Sequence, residues 1–282
     1  MRIGFIGAGL MGHGMVLNLL KGGHEVHVIA HRNRAPIEDL LTKGAHEAAS
    51  LDEIAHASDC IILCLSSSKL VEETVAALKP VMRFGQIIMD AGTSEPESTR
   101  RLASELAILG IAYADAPMTG GPEQAANAEL GVLCGASPET FSSILPLLSC
   151  FATTVRHMGP VGSGHAAKLI SNFLVTGMIA LVTQAFETAT KAGIDWRNLY
   201  DVMLNGSGNS GVLRKMVAPA LDGDFEGYKF SLANASKDIG YFKSLASGLG
   251  MELSLVKAVE GVFAGAIANG HGQKNVSRLL DL

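Results

Sequence analysis

"RIGFIGAGLMGHGM", residues 2–15, opens with five residues suited to a β-strand and runs straight into Gly7, Gly9 and Gly12, spaced G-x-G-x-x-G. Apolar periodicity over residues 11–21 predicts a helix behind them, so the glycines fall inside a βαβ pattern and not in an arbitrary turn. Each glycine then has a task. The first permits a tight turn, the second lets the backbone approach a pyrophosphate, and the third lets helix and strand pack closely. The phosphates would meet N–H groups at the positive end of the helix.

The first half of the chain keeps this rhythm. Strands are expected at residues 2–6, 25–30, 60–65, 86–90 and 112–116, with shorter ones near 131–134 and 153–157. Helical patterns at 11–21, 35–43, 70–79 and 98–109 lie between them. Strands apolar throughout that alternate with helices imply a parallel sheet covered on both faces. After "HMGPVGSGHAAK", residues 157–168, no convincing strand follows and the chain reads as helix after helix. The first, over about 163–192, is apolar nearly all round, which calls for burial on every side, between the halves and against another subunit. The expected architecture is α/β: an N-terminal Rossmann doubly wound sheet over residues 1–160, then an all-α C-terminal domain over 161–282.

Bulk properties lead to the expectation of a soluble globular protein. The 282 residues are 48% hydrophobic and 17% charged, with a net charge of -5 and no basic run, which argues against nucleic acid. Cys60, Cys64, Cys134 and Cys150 adjoin apolar segments without metal-ligand spacing and read as buried thiols in a reducing cytosol. Glycines interrupt the apolar stretch at the N-terminus, which is therefore no signal peptide. The run 174–182 is too short to span a bilayer, so no membrane partner is expected.

The end of the second strand bears on cofactor choice. An NAD site usually carries an acid there for the ribose hydroxyls. This chain reads "HVIAHRNRAP", with His31, Arg32, Asn33 and Arg34. A guanidinium binds a 2′-phosphate by paired charge-assisted bonds, so the segment points to NADP(H); the plainer alternative is two solvated loop arginines.

Three further segments can carry chemistry. "DAPMTGG", residues 115–121, follows a strand at the carboxyl edge of the sheet. Thr119, Gly120 and Gly121 offer a hydroxyl and successive N–H groups, a nest for a carboxylate or, equally, a turn. In "GPVGSGHAAKLISNF", residues 159–173, Lys168 and Asn172 project from one helix face. Burial beside a positive nicotinamide would lower the lysine pKa from about 10.4 and suit it to proton transfer. Asn172 could orient it and bond a substrate oxygen; a snorkelling lysine with an interhelical asparagine fits as well. "FSLANASKDIGYFKSLA", residues 230–246, sets Lys237 and Asp238 in an apolar helix, to close over a cofactor or to form a surface ion pair.

Together "GFIGAGLMGHGM", "DAPMTGG", "GSGHAAKLISN" and "SKDI", in that order and across essentially the whole chain, resemble the β-hydroxyacid dehydrogenases. The resemblance implies an active site in the cleft between a Rossmann domain and a helical domain. It implies Lys168 as catalytic acid/base, Asn172 as its catalytic companion, and Thr119, Gly120 and Gly121 on the substrate carboxylate. Lys237 would serve both substrate and nicotinamide, with Thr93 of "DAGTSEP" beside the ring. The expected cofactor-binding set is Gly7, Gly9, Leu10, Met11, Gly12, His31, Arg32, Asn33, Arg34, Leu65, Ser66, Thr93 and Lys237, with no metal.

The expected activity is NADP-dependent interconversion of a small 3-hydroxy or 2-hydroxy acid and its semialdehyde or keto form, in a homodimer or homotetramer. Gly92, Ser171, "PEQAANAE" after Gly121, and Asn275 depart from the family pattern, the last two in a way that bears on the substrate. The rival readings are an NADPH-dependent imine reductase, which commonly carries Asp or Tyr at the lysine position, and a silent dinucleotide-binding protein.

Overall fold

The apolar runs of the first half pair into a single sheet in the computed structural model, which describes residues 1–31 and 33–282. By its contacts the chain divides into two units, Met1–Lys168 and Leu169–Leu282. In chain order the first contains β1 (Arg2–Ile6), α1 (Leu10–Lys21), β2 (Glu25–Val28), α2 (Ala35–Thr42), β3 (His46–Glu47), α3 (Leu51–Ala57) and β4 (Cys60–Leu63). It continues with α4 (Ser68–Leu78), β5 (Ile87–Asp90), α5 (Pro96–Ala107), β6 (Ala112–Asp115), β7 (Met118–Thr119), α6 (Pro122–Ala126), β8 (Leu130–Gly135), α7 (Pro138–Leu148) and β9 (Ala152–Gly159).

The order β3-β2-β1-β4-β5-β6 is parallel throughout, with Ile3 opposite both Val26 and Cys60. That is the doubly wound order, and β1 and β4 flank its switch point, where such sheets bind ligands. Alternate residues feed two cores. Ile3, Phe5, Cys60 and Ile62 join one, and Ile6, Ile61, Leu63 and Ile88 join the other. Burial on both faces explains why these strands read as continuous apolar runs.

The all-parallel expectation needs correction at one edge. β8 runs antiparallel to β6 and β7, while β9 pairs parallel with β8. The chain turns back after only the two residues of β7, and a return that short can only pair antiparallel. The two-residue strands β3 and β7 and the short helices α3 and α6 lack the length to register as periodic patterns. Serine caps mark several helix starts: Ser50, Ser67 and Ser137 each accept an N–H from the first turn.

α8 (Ser163–Lys191) begins in the first unit and continues into the second. The second unit adds α9 (Trp196–Asn205), α10 (Gly211–Ala220), α11 (Leu232–Gly248), α12 (Ser254–Ala268) and a 3-10 turn at Val276–Leu280. Ile179, Phe186, Met216, Val217, Leu232, Ile239 and Phe263 form its core. The 29 residues of α8, at a mean hydropathy of 1.7 over their most apolar window, would by length and composition suffice to cross a membrane. Burial on all sides is not realised within one chain, because Ile170, Leu174 and Leu181 remain exposed.

Candidate functional site

The glycine loop is built as its spacing implies. Gly7 has φ +101°, and a Cβ there would lie 2.3 Å from the Cys64 carbonyl oxygen at the end of β4. A Cβ on Gly12 would lie 2.3 Å from the Gly7 carbonyl oxygen. Both positions are closed by backbone, so the turn and the seating of α1 require glycine. Gly9 differs: a Cβ there would meet nothing within 4 Å. Gly9 also precedes α1 without a capping side chain, and no acid stands in the first turn. The leading N–H groups of α1, from Leu10 onward, thus face an open space at a positive helix end, with Leu10 exposed and Met11 half-buried beside them. A dinucleotide pyrophosphate fits this arrangement.

Beside the loop lies a mostly apolar cavity of about 540 Å³, lined by Gly7, Gly9, Ile29, Ala30, His31, Asn33, Ile37, Leu65 and Leu70 among others. Its size and walls suit an adenine and its ribose. His31, Asn33 and Leu65 are thereby brought together with the glycines. Arg32 lies outside the described residues. Arg34 does not line the cavity: its guanidinium forms a two-pronged pair with Glu47, at 3.0 and 3.1 Å. Glu47 arrives from β3, opposite Val28 of β2. A neighbouring strand therefore sets a carboxylate against Arg34, which the local sequence could not reveal.

The other candidate residues of the first unit sit past the carboxyl ends of β4, β5 and β7. Ser66 follows β4, and Thr93 follows β5 in a loop held by Asp90, which accepts the Gly92 N–H at 2.8 Å and the Ser94 hydroxyl at 2.7 Å. A Cβ on Gly92 would come 2.7 Å from the Leu65 carbonyl oxygen, so any larger residue would crowd this turn. Thr119 ends β7. Gly120 has φ +112°, and the Gly121 N–H donates to the Gln124 side-chain oxygen at 2.9 Å. One donor of the expected carboxylate nest is thus engaged by the "PEQAANAE" segment itself. Asn18 of α1 donates its amide to the Ala125 carbonyl at 2.8 Å, fixing α6 and the turn before it to the helix behind the glycine loop.

Lys168 lies in the second turn of α8. The start of that helix is capped by the fully buried Asp115, whose carboxylate accepts the Gly162 N–H at 2.6 Å and the His165 N–H at 2.7 Å. Burial pushes the Asp115 pKa up, against the opposing pull of His165 and these N–H groups. Sequence reasoning passed over both Asp115 and His165 as functional residues.

In the second unit, Asn172 of α8 donates its amide to Asp238 of α11 at 2.7 Å. The Lys237 Nζ lies 3.3 Å from the other oxygen of Asp238, which is buried. One carboxylate therefore orients both candidates of this unit. Lys237 also stands 5.4 Å from the centroid of the Tyr241 ring. Asn275, one of the departures from the family pattern, donates its amide to Glu226 at 2.6 Å. Burial drives the thiols of Cys60, Cys64 and Cys134 up to about 12. Among the described residues no cluster of His, Cys, Asp and Glu could hold a metal ion.

Known proteins with these features supply the wider context. A family model described as the NAD binding domain of 6-phosphogluconate dehydrogenase matches residues 2–159. A second, described as NAD-binding of NADP-dependent 3-hydroxyisobutyrate dehydrogenase, matches residues 162–282. The 2-(hydroxymethyl)glutarate dehydrogenase of Eubacterium barkeri is 30% identical over 99% of this chain and 93% of its own. The 2-hydroxy-3-oxopropionate reductase of Escherichia coli is 29% identical over 99% and 96%. A solved 3-hydroxyisobutyrate dehydrogenase of Mycobacterium tuberculosis, with L-serine, superposes at a TM-score of 0.90 with 25% identity, covering 99% and 98%. A reductive aminase of Aspergillus terreus, at a TM-score of 0.64 and 23% identity, shares the fold alone. Two matches that divide the chain between them, and relatives that run its full length, establish it as a member of the β-hydroxyacid dehydrogenase family, an oxidoreductase that uses a nicotinamide dinucleotide.

Proposed function

We propose that the protein is an NADP-dependent reductase and dehydrogenase of small hydroxy acids, interconverting a 3-hydroxy or 2-hydroxy acid and its semialdehyde or keto form. The observation that carries this is the seat of Lys168: a lysine two turns into a helix whose first turn is locked onto a buried carboxylate. A fixed cation of this kind stabilises the charge that grows on a carbonyl oxygen during reduction, and then gives it a proton. In the reverse direction its neutral amine takes the hydroxyl proton. Thr119, Gly120 and Gly121 hold the carboxylate end, which requires the substrate to displace the Gln124 oxygen from the Gly121 N–H. Asn172 bonds the reacting oxygen, with its amide already oriented by Asp238. Lys237 adds positive charge toward substrate and cofactor.

Gly7, Gly9, Leu10, Met11 and Gly12 would hold the pyrophosphate, and His31, Asn33 and Leu65 the adenosine. Ser66 and Thr93 would lie toward the nicotinamide, which when bound supplies the hydride. NADP is preferred through Arg32 and Arg34. The pair of Arg34 with Glu47 is exposed, so a 2′-phosphate dianion can compete for the guanidinium. The exposed face of α8 is where a second subunit packs in a homodimer or homotetramer of the cytoplasm.

The test is a spectrophotometric screen with both cofactors. 3-Hydroxyisobutyrate, L-serine, L-threonate and 2-hydroxy-3-oxopropionate are the first probes, because relatives act on or bind them by name. Lys168→Ala should lower turnover on whichever probe is active by about 10²–10⁴-fold, with NADPH affinity within about twofold. Surviving turnover in that variant would remove the acid/base assignment. Tight NADPH binding without turnover on any hydroxy acid or semialdehyde would return the silent-binder reading.

A further inference from the structure

We propose that His165 is a positioning residue that holds Lys168 and the Thr93 loop in one frame; the inference rests on Lys168 being the acid/base. His165 is fully buried, and none of the roles above uses it. Its Nδ1 lies 2.8 Å from the Thr99 hydroxyl of α5. That hydroxyl donates to the Glu95 carbonyl one turn back, so the imidazole Nδ1–H is the donor toward Thr99. The ring stands between two buried carboxylates, 3.7 Å from Asp90 at the end of β5 and 3.9 Å from Asp115 at the end of β6.

Each contact fixes a different part of the candidate site. Asp115 accepts the main-chain N–H of His165 itself and so sets the rotation of the first turn of α8. Lys168 follows three residues later, on the neighbouring row of the same helix surface. Asp90 binds Gly92 and Ser94, which bracket Thr93. There is no slack beneath the helix: a Cβ on Gly164 would lie 2.4 Å from the Leu133 carbonyl oxygen. The imidazole thus ties α8 to α5 through Thr99 and fills the space between the ends of two strands. With the ring replaced by an apolar side chain, Thr99 loses its partner and the first turn of α8 is free to shift. A displacement of about 1 Å in a reacting group can cost about 10²-fold in rate.

The test compares His165→Leu, His165→Gln and His165→Asn in the full chain. Asparagine places its amide nitrogen where the imidazole has Nδ1 and can donate to Thr99, whereas glutamine carries its amide one bond further out, at the place of Nε2. Turnover is measured with NADPH and 2-hydroxy-3-oxopropionate, and with NADP and 3-hydroxyisobutyrate. Two readouts need no turnover: amide hydrogen exchange of residues 162–168, and the rate at which trinitrobenzenesulfonate labels Lys168, read by mass spectrometry.

The expected result for His165→Leu is a kcat about 10²-fold lower with KM and NADPH affinity within about threefold. Exchange should be faster at residues 162–168, the labelling rate of Lys168 should change, and at least a tenth of kcat should return in His165→Asn. If His165→Leu does not fold, a His165→Gln kcat well below that of His165→Asn supports the proposal, and equal values overturn it. A folded His165→Leu with kcat near wild type overturns it, as does unchanged exchange and labelling. A Lys168→Ala control separates the two failures. Activity retained there removes the acid/base reading and this inference with it, whereas activity lost there but kept in His165→Leu removes this inference alone.

Discussion

Alanine at position 9 and alanine at position 12 should do opposite things to the protein. At Gly9 the added methyl group would meet no protein atom within 4 Å, and φ is -82°. Folding stability should therefore change by no more than about 0.5 kcal/mol. The methyl group would instead stand where the pyrophosphate approaches the backbone. Loss of one charge-assisted N–H contact costs about 1.5–3 kcal/mol, which is about 10- to 150-fold in Kd. At Gly12 the new Cβ would lie 2.3 Å from the Gly7 carbonyl oxygen and 2.7 Å from the Phe5 ring, where ordinary contact begins at 3.4 Å. α1 must then move by roughly 1 Å against the loop, an overpacking of about 1–3 kcal/mol, offset by about 1 kcal/mol of helix propensity. The net loss, up to about 2 kcal/mol, lowers Tm by up to about 4–8 °C for a unit of this size. Thermal melts and NADPH fluorescence titrations on both variants read the contrast. Undiminished NADPH affinity in Gly9→Ala would refute the assignment of this opening to a phosphate, and a raised Tm in Gly12→Ala, the helix-propensity gain without the clash, would refute the packing argument.

Cofactor choice can be tested from both charges at the β2 edge. Arg32→Ala should raise the KM for NADPH well beyond that for NADH, and Glu47→Gln, which releases Arg34 from its pair, should lower the KM for NADPH and leave NADH nearly unchanged; equal responses of the two cofactors would remove the 2′-phosphate reading. The buried thiols offer a check on the cores: with pKa values near 12, Cys60 and Cys64 carry about one part in 10⁴ thiolate at pH 8. Iodoacetamide at that pH should therefore leave them unlabelled in the native chain and label them after urea, and rapid native labelling found by mass spectrometry would contradict the packing around β4.

The parallel sheet and the glycine loop were legible because each rests on local pattern. A strand buried on both faces shows as an apolar run, and a turn closed by backbone shows as glycine; Gly7 and Gly12 meet the carbonyls that forbid a side chain there. Elements of two residues, β3 and β7, have no period to detect. Yet β3 carries Glu47 to Arg34, 13 residues distant in sequence, and so alters the charge at the end of β2. The antiparallel edge escaped for the same reason, since only the two residues of β7 and the short α6 precede the reversal into β8.

Side-chain partnership is where local reading misleads most. Spacing of four on α8 set Asn172 beside Lys168, and gave no sign that its amide donates to Asp238, 66 residues further along. Asp115 and His165 likewise drew no attention as functional groups, because "DAPMTGG" was read for its Thr-Gly-Gly turn and "GSGHAAK" for its lysine. Their meaning comes from contacts 47 to 66 residues away in sequence, with Gly162, with each other and with Thr99. A buried polar side chain must find a hydrogen-bond partner or forfeit the free energy of its hydration. In this chain Asp90 and Asp115 meet that requirement at the carboxyl ends of β5 and β6, accepting N–H and hydroxyl groups from the Thr93 loop and from the start of α8. The strands supply the apolar frame, and these two carboxylates, which cannot be left unpaired, fix the first turn of α8 and the loop after β5 on it.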